Sequence, residues 1–395
     1  MRMTESEKGS YMPGLPPMVA PSDELVDGPV TAPGATESVR TVLEQVLDER
    51  LRRSRAVDPV FARELAARLV ALIARGGRRL RPAFTDCGWR AAGGSGDTTG
   101  VLRTGAALEL LQACALVHDD VMDGSVRRRG GPALHVELAR RHWAGGMHGS
   151  AEEFGTSAAV LAGDLALAWA DDLLTETALG TPHGRRLLEE WRAMRTEMVA
   201  GQYLDLRAQA ARSSGADEAL AIATLKSAMY TVARPLALGA LLAGADDHVL
   251  DALRAAGRCA GLAFQLRDDV LGAFGDPART GKPADDDLRS GKLTYLLAVA
   301  LRLADAADGL QAAAAPPPHP DPDPDPGSGH AVERMRAALR RTGARDLVEA
   351  RIEELTDMGI AHFEATGAPP AVRREFAALV RHATGVAPRR AEEVA

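Results

Sequence analysis

The chain has 395 residues, of which 46% are hydrophobic and 26% are charged. This composition supports a large folded core and excludes a fibrous protein. The formal net charge of -7 argues against a broad nucleic-acid-binding surface, so no nucleic-acid partner is expected. Three widely spaced cysteines, Cys87, Cys114 and Cys259, indicate neither a disulfide framework nor a zinc site, and they favour a reducing cytoplasm. No apolar run approaches about 18 residues, so no integral membrane segment is expected.

The N-terminal stretch 1–35 is rich in Pro and Gly and lacks hydrophobic periodicity, which predicts a disordered tail. From residue 36 to residue 395 the composition changes to Ala, Leu, Arg and Glu, with apolar residues three and four positions apart. This spacing predicts amphipathic helices, and alternating strand-like runs are essentially missing. Helices are predicted at 38–54, 61–76, 101–123, 132–144, 157–178, 183–210, 216–244, 248–273, 291–312, 331–342, 345–366 and 369–383. We therefore predict one large all-α domain.

Short Gly-rich or polar connectors are predicted at 93–100 and 145–155. The stretch 316–330, PPPHPDPDPDPGSGH, cannot be helical because proline recurs at every second position over most of it. An extended, solvated loop between two helices of the same domain is predicted there.

Two groups of aspartates each stand at the end of a predicted apolar helix. Asp119, Asp120 and Asp123 close the helix at 101–123, and Asp268 and Asp269 lie near the end of the helix at 248–273. Carboxylates at a helix C-terminus repel one another and oppose the helix dipole, so a bound cation would stabilise them. Magnesium prefers carboxylate oxygens, water and phosphate oxygens, which makes Mg²⁺ the expected metal. A metal held between the two helices would lie at the mouth of an apolar cavity.

Basic residues accompany both acidic groups. Arg78, Arg79 and Arg81 lie in GGRRLRP at 76–82, and Arg127, Arg128 and Arg129 follow the first aspartates. Lys282 and Lys292 follow the second group. A diphosphate bridged by a divalent metal needs such cations, because the metal neutralises only some of its oxygens.

These motifs appear in a characteristic order: GGRRLRP, HDDVMDGSVRRRG, LAGDLAL, GQYLDL, LKSA and FQLRDDVLGAFGDPARTGKPADDDLRSGKLT. The chain thereby resembles the trans-isoprenyl diphosphate synthases, also called polyprenyl synthetases, over about residues 39–383, and most closely the geranylgeranyl diphosphate synthases. The resemblance implies a helical bundle of the isoprenoid synthase type with a central apolar cavity. It also implies a homodimer.

The implied activity is Mg²⁺-dependent head-to-tail condensation of isopentenyl diphosphate with dimethylallyl, geranyl or farnesyl diphosphate. By resemblance, Asp119, Asp123 and Asp268 coordinate metal, with three ions when substrate is bound, and Asp120 and Asp269 support them. Catalytic roles also fall to Arg128, Lys226 and Lys282. The implied substrate contacts are Arg128, Lys226, Ser227, Gln265, Lys282 and Lys292 for the allylic diphosphate and its leaving group, and Arg78, Arg81, Gln112 and Arg129 for isopentenyl diphosphate.

Product length depends, in this family, on the residues four and five positions before the first aspartate. Here they are Ala115 and Cys114, which are small, so the pocket is expected to continue toward Leu111 and Leu108 on the same helix face. We therefore predict a C20 product, geranylgeranyl diphosphate, with C15 and C25 or longer products as alternatives.

Two other readings stay open. A class I terpene cyclase shares the helical architecture and the first aspartate motif, but its usual second metal motif is absent and it has no use for GGRRLRP. A non-catalytic partner subunit is suggested by Gly272, which stands where the second motif usually ends in aspartate. The survival of both Asp-Asp pairs argues against that reading.

Overall fold

Helices make up almost all the regular structure in the described part of the chain. The computed structural model describes residues 33–275, 292–305, 336 and 339–387. The α-helices are α1 (Pro33–Val57), α2 (Pro59–Phe61), α3 (Ala67–Ala74), α4 (Leu80–Ala91), α5 (Thr99–Met122), α6 (Leu134–Ala144), α7 (Ala151–Leu179), α8 (Gly184–Ala211), α9 (Ala216–Ala223), α10 (Arg234–Leu242), α11 (Asp247–Phe274), α12 (Tyr295–Asp305), α13 (Ala344–Glu364) and α14 (Pro370–Thr384). Two π-helical segments, π1 (Ala62–Ala66) and π2 (Thr224–Ala233), adjoin α3 and α10. The prediction of an all-α fold is confirmed.

The only strands among the described residues form a two-residue antiparallel pair, β1 (Arg127–Arg128) with β2 (Gly131–Pro132). This pair folds the chain back directly after α5. It therefore returns the arginines toward the acidic end of that helix, as the ion pairs below show.

The central helix of the fold is α5. Leu108, Leu110 and Leu111 are completely buried there, and α5 packs against α4 and α7. We expected no run long and apolar enough to span a membrane, yet α5 meets that test by length and composition. About 67% of its apolar window is buried inside the protein, however, so α5 is a core helix of the bundle.

Helix α7 begins earlier than the sequence predicted. The stretch 145–155 was expected to be a connector, but α7 starts at Ala151. Ser150 caps the helix by accepting a hydrogen bond from the backbone N–H of Glu153, and the first turn is acidic. Gly155 lies within this helix, and only glycine fits there because a Cβ would lie 2.3 Å from the carbonyl oxygen of His135 on α6.

Helix α4 was not predicted. Its middle residues, including Thr85, Asp86 and Gly88, have low helix propensity, so local sequence gives no helical signal. The helix is stabilised instead by burial, because Phe84 and Cys87 are inserted into the main core.

The predicted continuous helix at 216–244 is divided by π2. Pro235 has no N–H and cannot donate to the carbonyl of Thr231, as the α-helical pattern would require. The preceding N–H, of Arg234, donates instead to the carbonyl of Met229, five residues back. The π2 segment carries Lys226 and Ser227, so this local change of pitch sets the direction of predicted site residues.

Some predictions on domain boundaries fall outside the described residues. The first helix starts at Pro33, close to the predicted boundary at 36, whereas residues 1–32 are not described. The predicted loop at 316–330 also lies outside the described ranges. Both expectations remain predictions.

Candidate active site

The acidic C-terminal ends of α5 and α11 both lie at one large cavity. Its volume is about 810 Å³, within the range typical of small-molecule sites. The loop before α4, α5, α8, π2 and α11 all contribute to its wall. The predicted site residues that line it are Arg78, Arg81, Gln112, Asp119, Arg128, Arg129, Lys226, Ser227, Gln265, Asp268, Asp269 and Lys292. Apolar residues such as Leu116, Ile222 and Phe264 line it as well.

The remaining predicted residues lie elsewhere. Asp120 is buried behind Asp119, and Asp123 contacts the cavity residue Lys292. Lys282 falls outside the described residues. Cys114 and Leu111 are buried in the core and Ala115 is partly buried, and none of the three belongs to the wall formed by the described residues.

The aspartates of α5 are held by the hairpin that follows them. The Nε of Arg128 donates to Oδ1 of Asp120 at 2.7 Å, and one terminal nitrogen of Arg128 lies 3.3 Å from Oδ2 of Asp119. The backbone N–H of Asp123 caps α5 by donating to the carbonyl of Asp119 at 2.8 Å. Arg128 therefore ties the hairpin to two carboxylates at once.

Two lysines approach the same aspartates from the opposite wall. Lys226 Nζ lies 3.2 Å from Oδ1 of Asp119 and 2.7 Å from Oδ2 of Asp205. Lys292 Nζ lies 3.6 Å from both Oδ2 of Asp123 and Oδ2 of Asp205. Asp205 thus joins two cations that each reach a different aspartate of the first motif.

The charges around these aspartates affect their pKa values differently. Burial opposes ionisation of Asp119, but Lys226, Lys292 and Arg128 outweigh it and hold its pKa below the usual range. Burial raises the pKa of Asp120 despite its bond to Arg128. The pKa of Asp123 is also raised, first by burial and then by the negative charges of Asp119 and Asp205. For Asp120 and Asp123, burial therefore outweighs the neighbouring cations, whereas for Asp119 the cations outweigh burial.

These donors fit a divalent cation. Oδ2 of Asp120 is buried and has no hydrogen-bond partner among the described residues. Within those residues no group of three or more His, Cys, Asp or Glu side chains is arranged to hold a metal ion by itself. An open set of carboxylates suits Mg²⁺, which keeps waters and shares phosphate oxygens, better than it suits a metal that needs a complete protein cage.

The second acidic group faces the cavity from α11. Asp268 and Asp269 both line it, and the amide of Gln265 donates to Oδ1 of Asp269 at 2.8 Å. Gln265 lies one turn before Asp269 on the same helix face, which explains the contact. The structure therefore brings Asp119 of the first motif and the Asp268-Asp269 pair, which are far apart in sequence, to one cavity.

A separate basic region is built around Tyr230. The guanidinium carbon of Arg81 lies 4.1 Å from the centre of the Tyr230 ring, and one terminal nitrogen of Arg81 donates to the hydroxyl of Thr231 at 3.1 Å. The Tyr230 hydroxyl donates to Oε1 of Gln112 at 2.7 Å. Burial raises the pKa of Tyr230, so the phenol stays protonated and acts as the donor. The amide nitrogen of Gln112 is consequently directed away from this oxygen.

Other arginines complete this region. The guanidinium of Arg78 lies 5.9 Å from the ring centre of Phe264. Burial and the neighbouring charges of Arg79, Arg81 and Arg128 lower the pKa of Arg129, although Glu109 opposes this effect. The crowding of guanidinium groups indicates a site that favours an anion.

Close helix packing places Lys226. A Cβ at Gly201 of α8 would lie 2.3 Å from the backbone nitrogen of Lys226, so only glycine allows π2 this near. Asp205 lies one turn further along α8 and meets the lysine side chain. The motif GQYLDL therefore supplies both the glycine that allows π2 to approach α8 and the carboxylate that pairs with Lys226.

Sequence reasoning missed several residues of the site. Asp205 lies within the motif GQYLDL, and its place in that motif was the available signal. Tyr230, Thr231 and Glu109 gave no such signal, because a lone residue in a helical stretch normally indicates packing or solvation.

The fold and the cavity define a helical protein of the isoprenoid synthase class, with acidic and basic groups facing one another across one cavity. The chain belongs to the polyprenyl synthetase family, because the family model described as "Polyprenyl synthetase" matches residues 62–318, more than half of its length.

Curated relatives support this placement. A short chain isoprenyl diphosphate synthase of Methanothermobacter thermautotrophicus is 30% identical over 67% of this chain and 74% of its own length. A geranylgeranyl diphosphate synthase of Methanosarcina mazei is 31% identical over 65% and 76%. A (2E,6E)-farnesyl diphosphate synthase of Mycobacterium tuberculosis is 37% identical over 55% of each chain, so the match there spans about half of that relative.

Solved structures share the fold. The geranylgeranyl pyrophosphate synthase of Corynebacterium glutamicum, determined with isoprenyl diphosphate and magnesium, superposes with a TM-score of 0.81 at 39% identity, covering 88% of this chain and 97% of that one. A polyprenyl synthase of Caulobacter crescentus, determined with calcium and isoprenyl diphosphate, gives 0.67 at 27% identity, covering 90% and 96%. Divalent metal thus accompanies the phosphorylated ligand in both relatives.

Proposed function

We propose that the chain is a trans-prenyltransferase that condenses isopentenyl diphosphate head to tail with dimethylallyl, geranyl or farnesyl diphosphate. The observation that carries this proposal is that Asp119, Asp268 and Asp269 line one cavity together with two basic regions. Lys226 and Arg128 lie at the acidic end, whereas Arg81 and Arg129 belong to the other region. Two cationic regions accommodate two diphosphates, which a condensation requires.

The residues at the acidic end would drive ionisation. The bond between C1 and the bridging oxygen of the allylic diphosphate breaks, pyrophosphate keeps the electron pair, and C1 becomes a carbocation. Arg128 and Lys226 would stabilise the negative charge of the leaving group. Apolar residues such as Phe264 and Ile222 would exclude water from the cation.

The second region would hold isopentenyl diphosphate through Arg78, Arg81, Arg129 and the amide of Gln112. Its double bond would attack C1, forming the new carbon–carbon bond. Loss of one proton from the adduct to pyrophosphate would then form the new double bond. Each turnover consumes one isopentenyl diphosphate and releases one pyrophosphate, and no side-chain nucleophile is needed.

Asp119, Asp123 and Asp268 would hold Mg²⁺, three ions in all with substrate bound, and Asp120 and Asp269 would support them. When bound, the metal would neutralise diphosphate oxygens and so make pyrophosphate a better leaving group. Ser227, Gln265, Lys282 and Lys292 would add contacts to the allylic diphosphate.

A C20 product, geranylgeranyl diphosphate, is the length we propose. Cys114 and Ala115 offer little bulk below the first aspartates, and relatives named geranylgeranyl diphosphate synthases match from Methanosarcina mazei and Sulfolobus acidocaldarius. Relatives with shorter and longer named products also match, from Mycobacterium and Aeropyrum pernix. Family membership therefore does not specify the product length, which has to be measured.

Incubation of the purified chain with Mg²⁺, isopentenyl diphosphate and each allylic primer tests the proposal. Elongated products support it, and chromatography against standards gives their length. A terpene cyclase would release pyrophosphate from an allylic diphosphate alone. A non-catalytic subunit would give no product with any primer.

A homodimer in the cytoplasm completes the proposal. Large apolar side chains project into solvent from α6 and α7, with Trp143 81% exposed and Leu161 60% exposed. Such a surface favours burial against a second copy of the chain. The free thiols of Cys87, Cys114 and Cys259 suit a reducing compartment.

A further inference from the structure

Glu109 brings a buried negative charge into the basic region. It lies on α5, three residues before Gln112, and lines the cavity. Its carboxylate forms an ion pair with Arg79, and their side chains are only 4% and 11% exposed. A buried carboxylate is unfavourable without such a partner, so the two charges stabilise each other.

Arg79 itself has an unusual backbone. Its φ of 51° and ψ of 32° place it in the left-handed region, at the residue that precedes α4. This conformation is unfavourable for a residue with a Cβ, so other interactions must stabilise it. The ion pair with Glu109 provides one at this position. Arg78 and Arg81 flank Arg79 along the chain, and both line the cavity.

The Arg79–Glu109 ion pair also distinguishes Arg79 from the arginines near it. Arg81 contacts Tyr230 and Thr231, and Arg129 meets the positive charges of Arg79 and Arg81. Glu109 neutralises Arg79 among these groups. Arg78, Arg79 and Arg81 all line the cavity, but the guanidinium of Arg79 is engaged by Glu109.

We propose that Glu109 is a positioning residue: through its buried ion pair with Arg79 it fixes the turn before α4, so that Arg78 and Arg81 are oriented to bind a diphosphate. This inference rests on the proposed function, because the diphosphate is taken to be that of isopentenyl diphosphate. In this role Glu109 acts through Arg79 and not through a direct contact with the diphosphate.

Calorimetric titration with isopentenyl diphosphate alone tests the inference, since no reaction occurs without an allylic primer. Glu109→Gln should weaken binding about tenfold, the effect of losing one charge-assisted contact. The KM for the allylic diphosphate should stay as in the wild type. Glu190→Gln is the matched control, because Glu190 is also 4% exposed and paired with two arginines, but does not line the cavity. It should lower the melting temperature without weakening isopentenyl diphosphate binding.

Arg79→Gln and the double variant complete the cycle. If the pair acts as one unit, Arg79→Gln weakens binding as much as Glu109→Gln does, and the double variant is no weaker than either. The inference would be overturned if Glu109→Gln bound isopentenyl diphosphate as tightly as the wild type or more tightly. It would also be overturned if Glu109→Gln weakened the binding of both substrates equally, or if Arg79→Gln weakened isopentenyl diphosphate binding much more than Glu109→Gln does. Absence of isopentenyl diphosphate binding by the wild type would instead refute the proposed function.

Discussion

Lys226 and Asp205 form an ion pair with 2.7 Å between Nζ and Oδ2, although the Asp205 side chain is only 1% exposed. Lys226 also forms an ion pair with Asp119. Asp205 therefore fixes the lysine side chain in a position where its ammonium group faces the first acidic motif. Asp205 lies on α8, a helix for which the sequence predicted no site residue. Its carboxylate nevertheless determines where the predicted catalytic residue Lys226 lies.

Asp205→Asn should lower kcat by about tenfold to a hundredfold, because a lost charge-assisted hydrogen bond is worth roughly 1.5–3 kcal/mol. Steady-state kinetics with a fixed primer measures this effect. Asp171→Asn serves as the control, since Asp171 pairs with Arg195 and Trp191 outside the cavity. Equal kcat values for the two variants would show that Asp205 does not position Lys226.

Enlarging the side chains below the first aspartates should shorten the product. Cys114→Phe or Ala115→Phe should shift the main product from C20 to C15, because the added ring occupies space that the growing chain would need. Chromatography of dephosphorylated products measures the length. Cys114→Ser keeps the size and should leave C20 unchanged. An unaltered product in both Phe variants would remove the basis for the C20 assignment.

Tyr230 combines two contacts that substitutions can separate. Tyr230→Phe keeps the ring beneath Arg81 but removes the hydroxyl that orients Gln112, so the KM for isopentenyl diphosphate should rise about fivefold, equivalent to about 1 kcal/mol. Tyr230→Leu also loses the cation–π contact, worth about 0.5–2 kcal/mol, and should raise that KM further. Equal KM values for the two variants would contradict a role for the ring.

The exposed face of α7 provides the test of the proposed dimer. Leu161→Glu places a charge in the apolar surface and should convert a dimer to a monomer, as light scattering after gel filtration would show. Asp164→Glu, on the same helix and also exposed, is the control and should leave the dimer intact. A monomeric wild type, or a dimeric Leu161→Glu, would contradict the use of this face.

Much of the fold could be predicted because long apolar periodicity specifies buried helices. Helices α5 and α11 were predicted almost to their ends, and the aspartates near those ends reached one cavity. Helix α4 was missed because burial of Phe84 and Cys87 stabilises it more than local propensity does. The π2 segment was missed because the effect of Pro235 on the preceding hydrogen bonds is not visible in hydrophobic spacing.

The site was predictable where residues form motifs, and less so where they form pairs. Asp119 and Arg128 stand in one motif and meet in the structure. Asp205 and Glu109 contact cations from distant motifs, so their partners depend on helix packing that the sequence alone does not specify.

The coupling of pyrophosphate release to chain elongation tests the central proposal most directly. With Mg²⁺, farnesyl diphosphate and isopentenyl diphosphate, the wild type should release one pyrophosphate for each isopentenyl unit incorporated and accumulate a C20 diphosphate. Asp119→Ala should release none above background. Pyrophosphate release from farnesyl diphosphate without isopentenyl diphosphate, or no elongation with any primer, would contradict the account.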